Sequence, residues 1–218
     1  MKNLLYSLLM SRFKYERTLE TSRVVEKKIK IMPMIVSVEG YQRTLLETLQ
    51  SSKKTYDFIY VANGARYKNH IRLVEAWCLL AEDNILPSLC LTLDKSEHSE
   101  LIKWIEAKIQ QQGLRIKNKG ALTKLEVEHL YSESDALIFP STFESFGLPL
   151  IEARQAGLSV IASELDYVRD VLDPEQTFNP LSAVSIASAV KRFLKIEDKP
   201  LPLKTGQEFI DEIIKAEE

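Results

Sequence analysis

The sequence predicts an α/β fold, a doubly wound parallel sheet with helices on both faces, and two observations carry that prediction. Short apolar runs alternate with helical stretches from about Asp57 onward. The runs are apolar at nearly every position, which is typical of parallel strands covered on both faces. Five or six strands in this order would make one Rossmann-like domain with right-handed crossovers. A composition of 45% hydrophobic and 28% charged residues fits such a globular domain.

The first half of this domain combines aromatic and β-branched strands with amphipathic helices. Its predicted elements are, in order, the strand DFIYVA (57–62), the helix HIRLVEAWCLLAED (70–83), the strand SLCLTLD (88–94), the helix SELIKWIEAKIQQQG (99–113) and the short strand RIKNKG (115–120). In the first helix, the spacing places Ile71, Val74, Trp77 and Cys78 on one apolar face. Gly113 ends the second helix.

The second half begins with a capping-box signature, Thr123 followed three residues later by Glu126, which predicts a helix start. The elements that follow are the helix TKLEVEHLYSES (123–134), the strand ALIFPS (136–141), the helix LPLIEARQAG (148–157), the strand SVIASE (159–164) and the helix SAVSIASAVKRFL (182–194). Pro149 suits the first turn of its helix, and Gly157 suits the end of the same helix.

Three segments of the chain are expected to differ in role. Residues 1–34 are expected to contain a helix, residues 35–195 to form the Rossmann-like domain, and residues 196–218 to form a Pro-rich linker with a terminal helix. No stretch approaches the length of a membrane span, and the first ten residues do not fit a signal peptide. We expect a cytoplasmic protein whose membrane contact is at most peripheral, with the first helix either packed on its own domain or lying on a lipid surface.

Charge and cysteine usage narrow the function classes. The formal net charge of −2 gives no reason to expect nucleic-acid binding. Cys78 and Cys90 lie in apolar runs, so we expect two buried, reduced thiols and no metal site. His70, His98 and His129 have polar or charged neighbours, so we expect surface positions for all three.

The stretch FPSTFESFGLPLIEARQAG (139–157) is the main candidate for chemistry. It follows a buried strand, and ligands bind at the carboxyl ends of parallel strands. Gly147 and Pro149 would open a helix end whose free amides attract phosphate, and Lys68, from the loop after the first strand, could add a cation. Glu144 and Glu152 would then accept hydrogen bonds from sugar hydroxyls on either side of the phosphates. The charges alone are equally consistent with two solvated helix carboxylates and a surface lysine.

With its continuation LSVIAS, this stretch resembles the carboxyl-terminal signature of family 4 glycosyltransferases of the GT-B fold, also called group 1. The signature is a pair of glutamates separated by seven residues with an internal Phe-Gly, matched here by Glu144, Glu152, Phe146 and Gly147. YVANGARYKNHIRLVEAW resembles the phosphate loop and its helix, and KNKGALTKLEVEHLYSESDALIFPS resembles the base-binding loop and the strand before the motif. The similarity runs from roughly residue 30 to residue 194.

The resemblance implies a role for each candidate residue. Glu144 would contact the transferred sugar and Lys68 the diphosphate, and these two are the catalytic candidates. The donor-binding candidates are Glu152 for the ribose, the amides of Phe146, Gly147 and Leu148 for the diphosphate, the backbone of Gly120, Ala121 and Leu122 for the base, and Asn63 and Arg66 in the phosphate loop. The family is retaining and usually needs no metal, so we expect a nucleotide sugar as substrate, and no metal or cofactor.

The sequence departs from the family in two ways. Many relatives carry an arginine five residues before the lysine, where this chain has Asn63, and Arg66 is the candidate replacement. A GT-B enzyme also has a similar amino-terminal domain that binds the acceptor. Residues 1–34 resemble only the remnant of such a domain, its last helix and the linker, so we expect that partner to be missing or separate.

Three function classes follow. The leading hypothesis is the donor-binding half of a retaining glycosyltransferase, with polysaccharide assembly as the usual setting. The alternative is an inactive pseudoenzyme or interaction subunit derived from such an enzyme. A different phosphosugar enzyme, such as an epimerase, is disfavoured because no Gly-x-Gly-x-x-Gly follows a strand.

Overall fold

The computed structural model describes residues 54–196 and 205–216, and it contains a six-stranded, wholly parallel sheet in the order β3-β2-β1-β4-β5-β6. The strands are β1 (Tyr56–Tyr60), β2 (Leu89–Leu91), β3 (Ile116–Asn118), β4 (Ser134–Phe139), β5 (Ser159–Ser163) and β6 (Gln176–Phe178). The helices are α1 (His70–Glu82), α2 (Ser99–Gln112), α3 (Lys124–Ser132), α4 (Leu148–Gln155), α5 (Asp166–Arg169), α6 (Ala183–Phe193) and α7 (Gly206–Ala216), with a 3₁₀ turn at Arg66–Lys68. This confirms the predicted doubly wound α/β fold.

The two central strands carry the core. Phe58, Ile59 and Tyr60 of β1 are completely buried, as are Ala136 to Phe139 of β4. Residues on both faces of these strands are buried because helices cover both sides of the sheet, which explains the continuous apolar runs in the sequence.

The strand order reverses between β1 and β4. From β1 the chain builds outward to β2 and β3, and it then returns to place β4 on the other side of β1. A crevice forms at such a switch point, at the carboxyl ends of the strands, and it is where ligands bind in open α/β sheets. The loops after β1 and β4, which contain Lys68 and Glu144, both open into this crevice.

Most helices and strands lie where the sequence patterns predicted them. The capping box of α3 is present, with Thr123 and Glu126 bonded reciprocally. Gly113 ends α2 in the left-handed conformation. The short strand β6 and the four-residue helix α5 were not predicted, because neither is long enough to show a periodic pattern.

Two predictions about side-chain burial were wrong. Ile71 is 51% exposed, because the buried stripe of α1 runs through Leu73, Val74 and Trp77 and leaves Ile71 on the open side of the first turn. His70 is only 3% exposed, because α1 packs it against β1, whereas the sequence placed it on the surface. His129, by contrast, is exposed, and both cysteines are buried and free, as expected.

Part of the predicted domain division lies outside the described residues. This applies to the whole 1–34 segment, to the first 19 residues of the 35–195 domain and to most of the linker before α7. Within residues 54–196 and 205–216, no helix is long and apolar enough to cross a membrane.

Candidate active site

Lys68 and Glu144 form the centre of the candidate site. Lys68 Nζ lies 2.5 Å from Glu144 Oε1, although 76 residues separate them in sequence. Their side chains are only 13% and 11% exposed, so water screens this ion pair less than it would a surface pair. The structure therefore brings the two predicted catalytic residues into direct contact.

A short turn delivers Lys68 to this position. Residues Arg66–Lys68 form a 3₁₀ turn, and Asn69 follows in the left-handed conformation at φ 64°. Asn69 Nδ2 donates to the carbonyls of Pro140 (3.0 Å) and Pro180 (2.7 Å). Asparagine tolerates the left-handed region better than most residues, so the bend that aims Lys68 at the crevice is compatible with its sequence.

The start of α4 is open toward the same crevice. Gly147 precedes the helix at φ 71°, and no side chain caps it. The backbone conformation favours glycine at this position. A Cβ at Gly147 would also lie 2.8 Å from Leu150 Cδ1, so the buried Leu150 side chain would have to shift. Pro149 has no N–H, and the Leu150 amide donates to the Gly147 carbonyl at 2.9 Å. The helix dipole and the amide of Leu148 make this end suitable for an anion.

Glu152 lies one turn further along α4, on the side that faces α3. Burial raises the pKa of the Glu152 carboxyl, the charge of Glu128 adds to that rise, and Lys124 opposes it. Burial also raises the pKa of the neighbouring Tyr131 phenol, as does Glu152 itself. Within the described residues the Tyr131 hydroxyl has no hydrogen bond of ordinary distance and angle, and its proximity to the Glu152 carboxyl affects the pKa of both groups.

The remaining predicted residues line the crevice more loosely. Asn63 and Arg66 are exposed in the loop after β1, and the Asn63 side chain accepts the amide of Ala65 at 3.2 Å. Gly120 (φ 84°), Ala121 and Leu122 form the loop between β3 and α3. The structure places them at the ligand edge of the sheet and gives no contact from them to the Lys68–Glu144 pair.

Several side chains around the pair were not singled out from the sequence. The Tyr67 and Phe143 rings meet edge to face at 6.4 Å and are 43% and 61% exposed. Lys68 Nζ also lies 5.2 Å from the centre of the Tyr67 ring. The sequence offered one signal that could have identified these rings, since each aromatic residue immediately precedes one member of the ion pair.

A shallow cleft of about 540 Å³ opens next to Thr142, on the side of β5 and β6. Leu165, Asn179, Leu181 and Ser185 contribute to its lining, and Leu181 is 71% exposed. This cleft lies beside the loop that contains Glu144, on the β5–β6 side of the sheet.

This arrangement can hold an anion between a cation and a helix end, and the Glu144 carboxylate beside Lys68 can accept a hydrogen bond. Lys68 and the start of α4 supply the positive potential. Among the described residues, no group of three or more histidine, cysteine, aspartate or glutamate side chains could hold a metal ion.

Comparisons with known proteins relate the chain to glycosyltransferases. The sequence model of the family "Glycosyl transferases group 1" matches residues 42–210. The O-antigen chain mannosyltransferase RfbU of Salmonella typhimurium is 33% identical over 97 residues, which are 41% of this chain and 28% of the relative. A serotype-specific mannosyltransferase, WbdA of Escherichia coli, is 39% identical over 71 residues, 32% of this chain and 9% of the relative. The chain thus matches less than a third of the length of these curated relatives.

Solved structures show the same fold. A glycosyltransferase from Rickettsia africae superposes with a TM-score of 0.56 at 21% identity, over 74% of this chain and 43% of that one. The Anabaena protein Alr3699/HepE, solved in complex with UDP and glucose, gives a TM-score of 0.54 at 18% identity, over 73% of this chain and 44% of that one.

Proposed function

The chain belongs to the group 1 glycosyltransferase family, and from that premise we propose that it holds a nucleoside diphosphate sugar for retaining transfer of the sugar to an acceptor. The observation that carries the proposal is the Lys68–Glu144 pair beside the uncapped start of α4. Lys68 and the helix end would bind the diphosphate, Glu144 the transferred sugar and Glu152 the ribose.

The mechanism follows from where charge develops. When the bond from the sugar to the diphosphate breaks, negative charge grows on the leaving phosphate. In the donor complex, Lys68 and the α4 dipole would face that charge and stabilise it, and we propose that no metal is needed. Before the donor binds, Lys68 is neutralised by Glu144. Donor binding would replace this ion pair with a lysine–phosphate contact and a carboxylate–hydroxyl contact.

A mannosyl donor is the first candidate to test, because two relatives above 30% identity are mannosyltransferases. The O-antigen role of the Salmonella relative supports a place in surface polysaccharide assembly. The acceptor would be bound by an amino-terminal GT-B domain, which is consistent with the match to only part of each relative.

Titration calorimetry with UDP, GDP and their sugars tests the donor site directly. We expect Lys68→Met to weaken binding of the preferred diphosphate by about 10- to 150-fold, because a charge-assisted hydrogen bond contributes about 1.5–3 kcal/mol. Glu144→Gln should retain diphosphate binding, since it frees Lys68, while it loses the added affinity for the attached sugar.

The matched control is Lys103→Met. Lys103 also pairs with a glutamate, Glu100, but on the exposed surface of α2. Its loss should leave every affinity unchanged. Absence of heat with all of these nucleotides and sugar nucleotides would contradict the proposed function.

A further inference from the structure

A buried tyrosine, Tyr60, links the loop that carries Lys68 to the loop that follows β4. Tyr60, the last residue of β1, is completely buried, and its hydroxyl lies 2.7 Å from the Lys68 carbonyl and 3.0 Å from Ser141 Oγ. A carbonyl can only accept, so the single phenol proton is donated to Lys68. The Ser141 hydroxyl must then donate to the phenol oxygen.

The Tyr60 ring is held in place by its neighbours. His70 stacks against it at 4.8 Å between ring centres, and Phe139 contacts it edge to face at 5.7 Å. Burial raises the pKa of this phenol well above its ordinary value, so it remains a donor throughout the working pH range. The phenol therefore donates to the Lys68 carbonyl and accepts from the Ser141 hydroxyl over this whole pH range.

Two further hydrogen bonds also connect these two loops. The amide of Thr142 donates to the Tyr67 carbonyl at 2.8 Å, and Asn69 Nδ2 donates to the Pro140 carbonyl at 3.0 Å. Tyr60 differs from these two because it belongs to neither loop and lies beneath both. It connects the backbone of Lys68 with a residue three positions before Glu144.

We propose that Tyr60 is a positioning residue of the donor site, and that its hydroxyl sets the Lys68 backbone so that the ammonium group meets Glu144 and the donor diphosphate. The role of Tyr60 in diphosphate binding rests on the proposed function. Its role in positioning Lys68 against Glu144 does not. Tyr60 itself touches no reacting atom.

Tyr60→Phe tests the proposal, because it removes the hydroxyl and keeps the packed ring. We expect UDP or GDP, whichever binds more tightly, to lose about 3- to 10-fold in affinity, equivalent to about one neutral hydrogen bond. The matching nucleoside, uridine or guanosine, should bind within twofold of its wild-type affinity, since it has no phosphate for Lys68. A merely structural defect would weaken nucleoside and diphosphate alike, and that outcome, or unchanged diphosphate binding, would overturn the proposal.

Ser134→Ala is the matched control. Its hydroxyl is also completely buried and donates one hydrogen bond, to the Leu130 carbonyl at 2.8 Å, but at the amino end of β4. This variant should lose stability without changing the ratio of diphosphate to nucleoside affinity.

A second readout needs no ligand. A double-mutant cycle of Lys68→Met and Glu144→Gln measures the coupling of this ion pair in the free energy of unfolding. In the Tyr60→Phe background we expect that coupling to fall by at least half, and an unchanged coupling would refute the positioning role. If no nucleotide binds to the wild type, the proposed function fails while this cycle still decides the role of Tyr60.

Discussion

At the residue scale, His70 shows how tertiary packing can override a polar local sequence. Its imidazole lies between the Tyr60 ring and the first turn of α1, and neither ring nitrogen has a hydrogen-bond partner within the described residues. Burial lowers its pKa from 6.5 to about 3, and the nearby His98 and Lys68 add to that effect. The ring is therefore neutral in the folded protein at any pH near neutrality.

This shift predicts a loss of stability on acidification. The unfolded chain takes up a proton on His70 below pH 6.5, whereas the folded protein does not until about pH 3, so the stability present above pH 6.5 is lost as the pH falls. Between pH 7 and 5.5 this one group should cost about 1 kcal/mol. Urea unfolding of His70→Phe should show a correspondingly smaller drop over that range than the wild type. The exposed His129→Gln should keep the wild-type drop, and an equal slope in His70→Phe would contradict the assignment.

At the element scale, the first turn of α4 combines a packing requirement with the proposed binding of the donor diphosphate. Local sequence identified the helix correctly, because Pro149 and Gly157 mark its ends, and the spacing of Glu144 and Glu152 around that start pointed to a site. Local sequence could not show that Leu150 packs back onto Gly147, because that contact depends on how the helix docks on the sheet.

Comparing Gly147→Ala with Gly157→Ala separates the role of the start of α4 from the general cost of alanine in a left-handed conformation. Both glycines are left-handed, at φ 71° and 79°, so alanine should cost about 1–2 kcal/mol of stability at either position. The new methyl group meets Leu150 only at position 147, and nothing lies within 4 Å at position 157. We expect Gly147→Ala to lose about 1 kcal/mol more from overpacking and to weaken diphosphate binding in calorimetry. Equal losses of stability and equal affinities in the two variants would show that the start of α4 has no special role.

At the scale of the whole molecule, the sheet places its ligand edge against solvent. Tyr67, Phe143 and Leu181 are exposed along this edge, and the cleft beside Thr142 is open. A glycosyl donor bound here would be in contact with water unless another domain covered it. This geometry agrees with the proposal that an amino-terminal domain binds the acceptor.

Sugar transfer should therefore depend on that domain. With the proposed mannosyl nucleotide as donor, we expect the chain alone to transfer sugar slowly, and faster when an amino-terminal GT-B domain is added as a separate polypeptide. NMR of the anomeric proton should show that the product keeps the configuration of the donor. A Glu144→Gln control should lose the increase, and a product of inverted configuration would contradict the retaining mechanism.

The sequence by itself determined the layered α/β fold, most element boundaries and the residue types of the site, because periodicity, capping residues and glycine positions act within a few residues of chain. Only the tertiary structure decided that β4 pairs with β1, and that pairing brings Lys68 to within 2.5 Å of a carboxylate 76 residues away. It also decided that His70 is buried, that Ile71 is exposed and that the Tyr60 hydroxyl joins the two loops. These outcomes depend on which distant segments become neighbours, and the free energy of that packing is not contained in any local pattern.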